Sequence, residues 1–190
     1  MTARKKPRGR TAPRKPPTGA RALLVLGIGL VTLALAWLVL ASPRTQPLAP
    51  AHIGGKVGDF ALVDLAGQPV RLSDFAGRPV LINAWATWCP PCRGEMPALE
   101  SYYTAHEADG LVLLAVNAGE SRATVNAFIA QTGFTFPVLL DPGQRVLSGL
   151  GIQAFPTSIL IGRDGRVMYM QAGALTPEML ESRLTPLLGS

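Results

Sequence analysis

Apolar residues fall along this chain in two patterns, and each predicts a different kind of element. The first is one unbroken run, Ala22 to Ala41, with no charge and only Gly27, Gly29 and Thr32 as mild interruptions. Twenty helical residues rise about 30 Å, the thickness of a bilayer's hydrocarbon core. A helix on the surface of a globular domain shows a polar face, and this run has none, so a transmembrane helix is predicted over residues 22–41. Trp37 lies near its outer end, where an indole suits the membrane interface. Val39-Leu40-Ala41 offers small residues for cleavage. The run is longer than the about 7–15 residues of a signal peptide's apolar segment, which favours an uncleaved anchor.

The second pattern is a series of short apolar runs separated by turn residues. Phe60–Leu65 and Val70–Leu72, joined by Ala66-Gly67-Gln68-Pro69, predict a β-hairpin. Val80–Trp85 and Leu111–Val116 read as strands buried on both faces. A helix is predicted from Pro90 to Glu107, and another over Arg122–Gln131, capped by Ser121 and stopped by Gly133. Phe136–Leu140 predicts a short strand and Gln144–Leu150 a short helix. Ser158–Ile161 and Val167–Met170 flank Asp164-Gly165, an antiparallel hairpin signal. Thr176 and Pro177 open a last helix carrying Met179, Leu180, Leu184, Leu187 and Leu188. This alternation predicts an α/β domain over residues 57–190, a mixed sheet flanked by helices with an N-terminal hairpin. Residues 42–56, with three prolines and two glycines, predict a flexible tether, and the basic residues 1–21 a disordered tail.

Charge changes the picture in one respect. The net charge is +6, but eight of the 18 Lys and Arg residues precede residue 22, leaving ten against all 12 acidic residues. The basic character belongs to the tail, which removes the main support for nucleic-acid binding. Basic residues before an apolar span keep that end in the cytoplasm. The domain is therefore expected outside the membrane, held by residues 22–41.

The chemistry lies in the only two cysteines, Cys89 and Cys92. A pair this close in sequence closes too small a loop to serve as a structural staple. It follows a predicted buried strand and opens a helix, with Cys89 at the N-cap and Pro90 and Pro91 behind it. Free N–H groups and the helix dipole favour a thiolate there. The Cys89 thiolate is predicted to attack a substrate disulfide, and Cys92 to resolve the mixed disulfide. Trp85 and Trp88 are predicted to cover and orient the site. A structural zinc site needs about four ligands, and only His52 and His106 add to the cysteines, so no metal is predicted. No cofactor is predicted beyond the redox-active Cys89–Cys92 pair itself.

Trp88-Cys89-Pro90-Pro91-Cys92 after a buried strand, and Phe155-Pro156-Thr157 before a hairpin, resemble a thioredoxin fold. The stretch Trp88 to Pro97, with Val116-Asn117-Ala118-Gly119-Glu120, is similar to the TlpA/ResA/CcmG (DsbE) group of anchored thiol-disulfide oxidoreductases. The resemblance covers residues 54–188. It implies a cis Pro156 packed against the disulfide, with the Phe155 backbone open to an extended substrate segment. Glu95, three residues beyond Cys92 on the same helix face, is implied to relay a proton to or from it. The competing reading is a solvated acid in the first turns of a helix. Asn83 occupies the position of thioredoxin's buried acid and cannot titrate, which strengthens the case for Glu95. Pro97 is expected to kink its helix.

The activity implied is extracytoplasmic reduction of protein disulfides, in a bacterial inner membrane facing the periplasm. The substrate implied is the Cys-x-x-Cys-His disulfide of apocytochrome c during cytochrome c maturation, with electrons from a DsbD/CcdA-type membrane protein. Two alternatives compete. A thiol peroxidase of the AhpC/TSA type wants Pro-x-x-x-Thr-x-x-Cys, which Ala84–Trp88 lacks. A Sco-like copper chaperone wants Cys-x-x-x-Cys and a distal His, and no His follows His106.

Overall fold

A computed structural model describes residues 31–33, 35–37 and 48–189 of this chain. The basic tail, most of the predicted span 22–41 and residues 42–47 of the predicted tether lie outside them. Two units divide after Arg44. In the first, residues 31–33 and 35–37 are helical, with Val31, Leu33, Leu35 and Trp37 exposed. No helix among the described residues is long and apolar enough to cross a membrane.

In the second unit, the apolar runs form seven strands: β1 (Ala61–Asp64), β2 (Pro69–Arg71), β3 (Val80–Trp85), β4 (Val112–Ala118), β5 (Val138–Asp141), β6 (Thr157–Ile161) and β7 (Val167–Ala172). They make one sheet in the order β2-β1-β5-β4-β3-β6-β7. Every residue of β3 and β4 is buried, as continuous apolar strands require when both faces are covered. These two strands run parallel, from Val80 opposite Val112 to Trp85 opposite Asn117. Parallel neighbours need a crossover, and α1 (Pro90–His106) supplies it. Helices α2 (Arg122–Thr132) and α3 (Arg145–Gly149) follow β4 and β5. Strand β6 closes antiparallel on the other side of β3.

Side chains alternate across the sheet, which divides the core in two. Leu81, Trp85 and Leu113 pack with both cysteines, Met96 and Leu99 of α1. Ile82, Ala84, Leu114 and Val116 pack on the opposite face with Leu147 and Ile159. The start of α1 thus sits at the carboxyl end of a central strand, where active sites of α/β folds gather.

Three expectations are corrected. Residues 48–56 are not a loose tether. Leu48 and Ala51 pack on the second core cluster. The Ala51 amide donates to the Leu150 carbonyl at 2.9 Å, and Gly54 donates to Val167 at 2.8 Å. A Cβ built on Gly149 would lie 2.9 Å from the Leu48 Cβ, so the apolar residues between the prolines settle onto glycine surfaces. The last helix starts at Thr176 and Pro177 as expected and runs without a break, but its hydrogen bonding changes along it: Pro177–Met179 is α-helical, Leu180–Leu184 π-helical and Thr185–Leu187 a 3-10 turn. Pro186 has no N–H to continue the ladder. Finally, β4 extends through Asn117 and Ala118, which places Asn117 in the sheet rather than after it.

Candidate active site

The turn between β3 and α1 builds the site. Cys89 is the N-cap of α1, with extended backbone at φ −91° and ψ 103°, and its Sγ accepts from the Cys92 amide at 3.3 Å. Pro90 and Pro91 occupy the first helical positions, where a missing N–H breaks no intrahelical bond. The two cysteines are joined in a disulfide, with Cα atoms 5.3 Å apart. Cys89 is 3% exposed and Cys92 0%. Both are buried in the disulfide form, Cys89 at the turn beside exposed Trp88 and Pro90, and Cys92 one turn inside the helix.

The two tryptophans divide the work expected of both. Trp88 is 64% exposed and stands edge-on to Phe155, ring centroids 6.2 Å apart. Trp85 is fully buried in the core cluster that holds the cysteines, tilted against Phe128 at 5.3 Å. Trp85 supports the site from within, and Trp88 alone lies on its surface. The Arg93 guanidinium stands 5.9 Å from the Phe128 ring.

The Phe155–Pro156 peptide is cis. Phe155 is half-buried against the cysteine-bearing cluster. Pro156 is buried, and its carbonyl accepts from the Gly173 amide at 2.9 Å. Thr157 opens β6 opposite Ala84, its hydroxyl donating to the Ala154 carbonyl at 2.8 Å. Phe155 and Trp88 are thus brought together, from loops 67 residues apart in the chain.

Glu95 is 3% exposed, so the solvated alternative does not describe it. Its Oε1 accepts from Asn83 Nδ2 at 2.8 Å and its Oε2 from the Leu175 amide at 2.7 Å. Burial pushes its pKa above the ordinary carboxylate range, and the two donors only partly offset that. Asn83 Nδ2 also donates to Ser158 Oγ at 3.0 Å. Asn83 and Ser158 are register partners on β3 and β6, which is why they meet. Among the described residues, the buried side-chain polar atoms without a partner are Asn83 Oδ1 and Trp85 Nε1.

A second carboxylate, Glu120, is one to which the sequence alone assigns no role. It accepts from the Thr87 amide at 2.7 Å, from the Thr87 hydroxyl, and from Asn117 Nδ2 at 2.8 Å. Partial burial raises its pKa, but the bonds from Thr87 and Asn117 outweigh it and hold the group below the ordinary range. This clamp fixes the residue two before Cys89 to the end of β4. Its signal in the sequence is a polar Asn117 inside an otherwise apolar strand, with an acid just beyond the strand end.

Among the described residues, no group of three or more His, Cys, Asp or Glu side chains is placed to hold a metal. His106 faces Asp109 at 3.3 Å and Glu181 at 3.7 Å, and His52 lies 3.3 Å from the Pro50 carbonyl. The site therefore offers a disulfide that one side chain can screen, a buried acid on the helix of the inner cysteine, and a clamped loop.

The profile of the Redoxin family matches residues 52–187. The thiol-disulfide oxidoreductase ResA of Geobacillus thermodenitrificans is 37% identical over 155 residues, covering 82% of this chain and 88% of that one. ResA of Halalkalibacterium halodurans is 37% identical over 131 residues, covering 69% and 74%. A solved structure from Chlorobium tepidum, described as a candidate thiol:disulfide interchange protein DsbE, superposes with a TM-score of 0.69. It is 34% identical, over 73% of this chain and 99% of that one.

Proposed function

Since the chain belongs to the Redoxin family and is a thioredoxin-like thiol-disulfide oxidoreductase of the ResA/DsbE kind, we propose that it reduces protein disulfides outside the cytoplasm. The observation that carries this reading is the asymmetry of the pair. Cys89 caps a helix at the surface loop beside exposed Trp88, and Cys92 is sealed inside with Glu95 one turn further along α1.

In the reduced protein the Cys89 thiolate attacks one sulfur of a substrate disulfide. A Cys89–substrate disulfide forms, and the other substrate sulfur leaves as a thiolate. Cys92 gives its proton to the Glu95 carboxylate and attacks Cys89 Sγ. The substrate leaves with both electrons, and the Cys89–Cys92 disulfide closes. Trp88 and Phe155 offer the substrate an apolar edge, and the Phe155 backbone pairs with its extended segment beside Pro156 and Thr157. No bound cofactor or metal takes part.

In this reading residues 22–41 anchor the chain in the bacterial inner membrane, with the basic tail in the cytoplasm and the domain in the periplasm. The substrate is the Cys-x-x-Cys-His disulfide of apocytochrome c, and a DsbD/CcdA-type membrane protein returns the electrons. The resemblance of Trp88–Pro97 to that group supports this assignment. Trapping with Cys92→Ser tests it, since that variant cannot release a Cys89-linked partner. An apocytochrome c recovered through Cys89 supports the reading. Recovery of other proteins alone overturns the substrate, and recovery of none overturns the exchange mechanism.

A further inference from the structure

The Asn83 side chain is used in a lopsided way. Its Nδ2 makes both of its bonds, to Glu95 Oε1 at 2.8 Å and to Ser158 Oγ at 3.0 Å. Its Oδ1 is buried with no partner. A buried acceptor left without a partner is costly and calls for a reason. The orientation suits a charged Glu95, whose two oxygens both face N–H donors. It does not suit a protonated one, whose O–H would meet the Asn83 NH2 donor to donor.

We infer that Asn83 and Ser158 are positioning residues that hold Glu95 in both its charged and its neutral form, by a half-turn of the Asn83 carboxamide. The oxygen and nitrogen of a carboxamide are nearly equal in size, so either orientation fits the same space. Turned over, Asn83 Oδ1 accepts from the protonated Glu95 and from the Ser158 hydroxyl, and Nδ2 takes the unpartnered position, so one end of the carboxamide is unpaired in either state. Ser158 is the member that makes this work: a hydroxyl accepts in the first arrangement and donates in the second. The Leu175 amide stays on Oε2 in both, which keeps the mobile proton on the side of Asn83. The groups bonded to Glu95 from neighbouring elements are uncharged: Asn83 of β3, itself bonded to Ser158 of β6, and the Leu175 amide. On its own helix, the titratable group toward the site is Cys92, closed in the disulfide. A second acid at position 83 could not serve in this way, because two carboxylates sharing one buried site cannot both ionise.

The inference rests on the reading of Glu95 as the proton partner of Cys92, and its test is kept apart from that chemistry. The oxidised full chain is labelled with 15N in asparagine side chains and 13C in glutamate carboxyls and titrated by NMR. The Asn83 NH2 signals, assigned by their loss in Asn83→Leu, should shift through one transition with the midpoint of the Glu95 carboxyl. Their NOEs to the Ser158 β-protons should change with it, and the transition should vanish in Glu95→Gln. In Asn83→Leu the Glu95 midpoint should move to higher pH, because a bond to the charged form is worth more than one to the neutral form. The pH profile of disulfide exchange should move with it. Asn83 signals that stay fixed while Glu95 titrates overturn the inference and leave the proton-partner reading intact. Unchanged exchange rates in Glu95→Gln sink that reading, and an Asn83 transition still seen in the oxidised chain stands without it. A lower melting temperature in Asn83→Leu with no shift of midpoint or profile reduces Asn83 to packing and overturns the inference.

Discussion

Two carboxylates flank the cysteine turn, and the protein holds them in opposite ways. Glu95 lies in the core with two donors, and burial wins, so it keeps its proton to higher pH than usual. Glu120 lies half-buried at the rim with three donors, two of them from Thr87, and the donors win. One site thus contains a buried acid that keeps its proton to higher pH and a rim acid whose charge is favoured by the loop it holds. The difference follows from the number of donors and the depth of burial.

The comparison breaks first at Glu95. Glu95→Gln keeps the shape and removes the proton site, so disulfide exchange in stopped-flow should slow by about a hundredfold. Loss of activity without a change in the pH profile would count against proton transfer. Glu120→Ala should leave the exchange pH profile in place and lower stability by about 2 kcal/mol in urea denaturation. It leaves the Thr87 amide and Asn117 Nδ2 without a partner, and the half-exposed position tempers the loss.

Stability against pH sharpens the contrast. With its folded pKa raised above 4.5, Glu95 contributes stability at low pH that is lost as pH rises through the folded value. Glu120, lowered from the same 4.5, contributes stability above that pH that is lost as pH falls through its folded value. Thermal melts should show opposing slopes on the two sides. Glu95→Gln should flatten the loss on raising pH, and Glu120→Gln the loss on lowering it. The smallest effect belongs to the exposed aromatic: Trp88→Ala should change stability by no more than about 0.5 kcal/mol. It should raise KM for a protein disulfide more than for a small one.

The legible parts of the fold were those set by local pattern. Leu111–Val116 is apolar throughout and Val80–Trp85 is apolar but for Asn83; both form central strands, and Cys89 with Pro90 and Pro91 marks a helix start. What stayed hidden depends on register between distant segments. Ser158 comes under Asn83 only because β6 pairs with β3 in one alignment, and the Leu175 amide reaches Glu95 across 80 residues of chain. Thr87 and Glu120 likewise meet only because β3 and β4 end side by side. Residues 48–56 are illegible for another reason: their proline and glycine content signals looseness, while what holds them is Leu48 and Pro50 packed on Gly149 and Gly151, far along the chain.

That docked segment has a mechanical consequence. A pull arriving at residue 48 from the N-terminal side meets the Ala51–Leu150 bond first, then the Gly54–Val167 and Gly55–Val167 pair, and only afterwards β1. The load is taken up by the loop after α3 and by the outer edge of β7, neither of which holds a cysteine. Force on the N-terminal end is thus met by this strap and by β7 at the edge of the sheet, two strands away from β3 and the turn that carries Cys89 and Cys92.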